Sequence, residues 1–107
     1  MTLATAGNLA YTLAELGELQ AARELAEETA ARHRQVYGDD HRETMWSISV
    51  LIGVLKAAGD DARALAENSL ARHRRLFGDD HPMTLGAAHD LREIIASKTA
   101  SPANEQP

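Results

Sequence analysis

The sequence predicts an all-α fold, an antiparallel helix-pair solenoid of five helices, and three observations predict it. One stretch is written twice: residues 31–45 read ARHRQVYGDDHRETM and residues 71–85 read ARHRRLFGDDHPMTL, with Gly38 and Gly78 forty positions apart. Self-similarity at such a period marks stacked supersecondary units. Between the glycines the apolar residues recur at helical spacing. Only 4% of the 107 residues are aromatic, while alanine is abundant, which suits closely approaching helices better than strands built from β-branched and aromatic residues.

Each element follows in turn. Leu3, Ala6, Leu9, Ala10, Leu13 and Leu16 form one helical stripe from Thr2 to about Leu16, closed by Gly17, a residue suited to the left-handed turn that ends helices. A second helix carries Ala22, Leu25, Ala26, Thr29, His33, Val36 and Tyr37, and stops at Gly38. Asp40 and Glu43 have the spacing of a capping box. They open a third helix, from about His41 to Ala58, with Met45, Ile48, Leu51, Ile52 and Leu55 as its stripe. The fourth, from about Asp61 to Phe77, repeats the stripe of the second with Ala62, Leu65, Ala66, Ser69, Leu70, His73, Leu76 and Phe77. A fifth begins after Asp80, with Pro82 in its first turn, and carries Leu85, Ala88, Leu91, Ile94 and Ile95 to about Ser97. The turn after Gly59 is two residues shorter than the one after Gly17, which predicts a tighter second hairpin. The polar, proline-bearing end, residues 99–107, predicts a disordered tail.

Length, charge and composition exclude several functions. A chain of 107 residues is one domain by length. Without cysteine there is no disulfide framework and no thiolate chemistry, as suits a reducing compartment. The start, MTLATAGNLAYTL, has no charged n-region followed by a long apolar run, and no stretch approaches the ~20 apolar residues that span a bilayer. The expectation is a cytoplasmic chain with no membrane partner. A net charge of −5 and a pI of about 5.4 argue against nucleic acid as a partner.

The helix pairs resemble tetratricopeptide repeats. The resemblance rests on Leu9, Ala10, Leu13, Gly17, Leu19, Ala22 and Ala26 in one unit and Leu51, Leu55, Gly59, Ala62 and Ala66 in the next. The linking GDDHPMTL, with Thr2 and Thr44 forty-two positions apart, looks like the longer variety of kinesin light chains and many bacterial regulators. The resemblance implies a repeat domain over residues 1–98, with repeats at about 2–40 and 44–80 and a capping helix at about 82–98. It further implies that the first helix of each pair lines a concave groove for a protein or peptide partner. On the face opposite the packing stripe stand Asn8, Tyr11 and Glu15, then Trp46, Ser49, Gly53 and Lys56, then His89 and Glu93. Tyrosine and tryptophan suit such a site because each offers rigid apolar area with a polar tip. The plainer reading of Tyr11 and Trp46 is that they fill the space between neighbouring first helices.

Other constellations have structural explanations. His33 recurs as His73 and His41 as His81, which makes them features of the repeat rather than a ligand set, so no metal is expected. The basic runs Arg32-His33-Arg34 and Arg72-His73-Arg74-Arg75 lie at helix C-termini, where cations offset the dipole. No nucleophile motif or phosphate-cradling glycine loop occurs, so neither an enzyme nor a cofactor is expected. The predicted function is recognition of a partner segment in the groove, within a larger bacterial regulatory protein. The alternative is a structural one: self-assembly as a homodimer, or an intramolecular lever, through the last helix, whose Leu91, Ile94 and Ile95 have no following helix to cover them.

Overall fold

The computed structural model describes residues 3–104, with side chains described for residues 5–97. Five helices make up the described chain: α1 (Leu3–Glu15), α2 (Leu19–Tyr37), α3 (Arg42–Ala58), α4 (Arg63–Phe77) and α5 (Pro82–Asn104). They fall into two compact units, Met1–Asp61 and Ala62–Pro107.

In the first unit α1 lies against α2, and α3 lies against both. Small side chains permit this closeness. Ala10 and Ala22 are completely buried, and Ala26 and Ala30 nearly so. A Cβ added at Gly7 would come within 2.4 Å of the Trp46 indole, so the ring of α3 rests where α1 has no side chain. Arg23 of α2 reaches the far end of α3 and donates to Asp60 at 2.7 Å. The second unit sets α4 against α5, and the buried Thr84 hydroxyl donates to the carbonyl of His73 at 3.2 Å.

The helices end in two ways. Within the first pair the amide of Glu18 bonds the Leu13 carbonyl and that of Gly17 the Ala14 carbonyl, and Asp60 and Gly59 repeat this at the end of α3 with Leu55 and Lys56. Both are Schellman ends. The joints differ: Gly38 has φ 86 and ψ 169, and Gly78 has φ 89 and ψ 163, a region open essentially to glycine alone. The duplicated glycines are fixed by that backbone shape.

The joint itself corrects one expectation. The cap of α3 is His41, whose Nδ1 accepts from the Glu43 amide at 3.1 Å, and Asp40 is not the cap. His81 treats the Met83 amide in the same way at 3.1 Å. Each capping imidazole is stacked on an aromatic ring, Tyr37 at 4.4 Å and Phe77 at 4.8 Å between centroids. Those rings in turn meet the buried His33 and His73 at 5.7 and 5.8 Å. The repeated histidines thus form two ladders, His33–Tyr37–His41 and His73–Phe77–His81.

Further differences concern the stripes. Leu9, Leu16, Val36, Tyr37 and Leu85 are exposed, although the periodicity puts them on packing faces. Periodicity finds the helix but does not say which flank of a wide stripe has a neighbour. Ile94 is buried and Leu91 and Ile95 half-buried, so among the described residues the large apolar side chains that α5 exposes are Met83 and Leu85. The link itself is not shorter: residues 59–62 lie between α3 and α4 where residues 16–18 lie between α1 and α2. Helix α4 absorbs the deletion, with 15 residues against 19 in α2. Helix α5 runs to Asn104, over residues where a tail from Thr99 is expected and through Pro102. Residues 105–107 lie outside the described residues.

Two predictions test this packing by chemical denaturation. Replacing His41 with alanine removes a cap and a stacked ring and is expected to cost ~1–2 kcal/mol, of which His41→Asn should restore the capping part. Gly7→Ala is expected to destabilise by ~1–3 kcal/mol through collision with Trp46, despite alanine's better helix propensity. At Gly53, where an added Cβ meets nothing within 4 Å, the same change should stabilise by ~0.5–1 kcal/mol.

Candidate functional site

The expected groove residues divide between the two units. Seven lie in the first, on the two helices that belong to the front of their pairs. Asn8, Tyr11 and Glu15 are exposed on α1, with Tyr11 55% accessible. On α3, Trp46, Ser49 and Lys56 are half-buried and Gly53 is exposed. His89 and Glu93 are exposed on α5 in the second unit.

Helical geometry relates the aromatic members of the first unit. Tyr11 stands one turn after Gly7, so both lie on one side of α1, and Gly7 receives the Trp46 ring. The exposed phenol therefore rises from the same side of α1 that the indole covers. Of the two readings of Trp46, filling the space between α1 and α3 accounts for the half of the ring that is covered.

The polar groups around these rings are partly engaged. The Ser49 hydroxyl donates to the Met45 carbonyl at 3.1 Å, which leaves its oxygen lone pairs to accept. The Asn8 carbonyl accepts from Thr12 at 3.0 Å, which leaves the Asn8 side-chain amide outside that bond. Glu15 ends α1 and Lys56 lies in the last turn of α3, so both charges stand at the C-terminal ends of their helices. On α5, His89 and Glu93 approach each other at 3.4 Å as neighbours one turn apart. Such a surface can take up an apolar side chain, exchange hydrogen bonds with a backbone and read charge.

The basic runs are accounted for by their neighbours. Arg32 meets Glu28 at 3.2 Å, Arg34 meets Asp39 at 3.6 Å, and Arg74 meets Asp79 at 3.6 Å. Among the described residues, no group of three or more histidines or carboxylates is placed to hold a metal ion, and no helix is long and apolar enough to cross a membrane. Gly7 is the residue that motif reading missed. Its signal was present, because a glycine in the middle of a helix costs ~0.5–1 kcal/mol relative to alanine and calls for a close neighbour.

Comparison with known proteins identifies the architecture. The profile of the tetratricopeptide repeat family matches residues 2–43 and again residues 58–82. No curated protein matches the chain. The matched segments take in both helices of the first pair and, from the second, the intra-pair turn with α4. The kinesin-light-chain-like form of the joint is consistent with this match. Repeats of this kind are non-catalytic scaffolds that generally mediate protein–protein interaction. With more than half of its length matched, the chain belongs to the tetratricopeptide repeat family.

Proposed function

We propose that the chain is a recognition module that binds a segment of a partner protein along the face shared by α1 and α3. One observation carries this reading. Tyr11 is 55% exposed one helical turn from Gly7, where the Trp46 ring rests, so two aromatic surfaces border one stretch of face. Exposed tyrosine beside half-buried tryptophan is the composition of a binding hot spot. Asn8 and Ser49 would exchange hydrogen bonds with the partner's backbone, and Glu15 and Lys56 would read its charges. His89 and Glu93 on the second unit are read as further polar contacts. Absence of cysteine and a family role in interaction support a cytoplasmic module of a larger bacterial regulatory protein. Homodimerisation through α5 is the competing reading, supported by the exposed Met83 and Leu85.

The test uses Tyr11, because Trp46 also supports the fold. A partner recovered by affinity capture on the full chain is titrated against it while Trp46 emission is followed. Tyr11→Ala is expected to weaken binding by ~30-fold or more, as for a hot-spot aromatic, and Lys56→Ala by a smaller factor. Unchanged affinity in both variants would rule the face out. A chain that scatters light as a dimer, and becomes a monomer on Leu85→Glu, would favour assembly through α5.

A further inference from the structure

Where α3 and α5 begin, the capping atom is an imidazole nitrogen rather than the oxygen that caps most helices. The difference matters because an imidazole nitrogen accepts a hydrogen bond only while it carries no proton. In His41 the acceptor is Nδ1, 3.1 Å from the Glu43 amide, and in His81 it is Nδ1 again, 3.1 Å from the Met83 amide. Each neutral ring therefore holds its proton on Nε2, and Nδ1 is the atom that a further proton must take.

Protonation turns that acceptor into a donor. Two N–H groups cannot stay 3.1 Å apart and point at each other, so a charged ring has to turn out of its place. Turning also undoes the stacking, since His41 lies 4.4 Å from Tyr37 at 21° and His81 lies 4.8 Å from Phe77 at 26°. The amides of the helix start add a positive field of their own. Around His41 the charged and titratable groups are His33, Arg34 and Tyr37 of α2, Asp39 and Asp40 of the joint, and Arg42 and Glu43 of α3. Helix α1, which also packs on α3, brings Tyr11 and Glu15. Around His81 they are His73, Arg74 and Arg75 of α4, with Asp79 and Asp80, and the first turn of α5 holds no acid. Carboxylates that could retain a charged ring are drawn to other cations: Asp39 pairs with Arg34 and Asp79 with Arg74, each at 3.6 Å.

We propose that the two joints are acid-sensitive latches. As pH falls through the range in which imidazoles charge, about 8 to 5, His41 and His81 release the first turns of α3 and α5. The sign follows from the geometry. The neutral ring fits the folded joint and the charged ring does not, so the stabilisation by each cap is present at neutral and higher pH and is lost on acidification. Trp46 stands one turn beyond Arg42, the first residue of α3, so the loosening reaches the ring that rests on Gly7. This inference does not depend on the recognition reading.

Two measurements on the full chain test it. Nitrogen–proton correlation of the imidazoles by NMR at pH 7.5 is expected to show both His41 and His81 with the proton on Nε2. Rings protonated on Nδ1 at that pH would overturn the proposal. Thermal unfolding is then followed through Trp46 emission and circular dichroism from pH 7.5 to 5.5, a window above the titration of ordinary carboxylates. The double variant His41→Asn with His81→Asn keeps a capping oxygen that does not titrate and retains His33, His73 and His89, so it subtracts their share. Wild type is expected to lose ~5 °C more in Tm than this variant across the window, and His41→Asn alone should remove about half of the difference. Equal losses in wild type and double variant would sink the idea, as would a wild type that gains stability on acidification.

Discussion

Close approach of helices is the constraint on which the first unit depends. Backbones come near one another only where side chains are small, and the chain supplies alanine at the buried positions Ala10, Ala22 and Ala26 and no side chain at all at Gly7. The indole of Trp46 then fills the space that Gly7 leaves. Because interiors are close-packed, one methyl group at such a point is felt throughout the contact. The same constraint explains the scarcity of aromatic residues: a crossing made of alanine leaves little room for rings except at its edges.

The joints between pairs solve a different problem, which is how to end one helix and open the next within four residues. Glycine supplies a backbone shape closed to other residues. The histidine that follows serves as both cap and stacking partner, for His41 accepts from the Glu43 amide while its ring lies on Tyr37. Aspartates of the joint neutralise arginines at the helix end, as Asp39 does for Arg34. A motif with two acids, an imidazole and nearby arginines has the residue types of a catalytic or metal site. Its geometry gives structural parts to the histidines His41 and His81 and to the aspartates Asp39 and Asp79.

The proposed recognition surface uses a flank of α1 on which Tyr11 is exposed, one turn from the Gly7 that receives the Trp46 ring. Elsewhere on α1 Leu9 is exposed while its equivalent on α3, Leu51, is buried. In a repeat protein each unit is a template for the next, so equivalent positions can be compared directly. That internal comparison needs both the sequence register and the burial of each copy.

The sequence by itself determined the five helices, the position of every glycine end and the family, because helical period, turn chemistry and internal repetition are local properties written in residue order. It also determined that the histidines belong to the repeat. Only the tertiary structure decided which flank of each stripe is covered. Leu9 and Leu51 are the same residue at equivalent positions, yet one is exposed and the other buried, and the cause is a neighbour that no local pattern records. It likewise decided that His41 rather than Asp40 caps α3, since the stacked Tyr37 ring holds the imidazole where its nitrogen meets the amide. Trp46 shows the limit most plainly. Its spacing assigns it a face of α3, but that it is half-covered follows from a glycine thirty-nine positions earlier, brought against it by the packing of one helix on another.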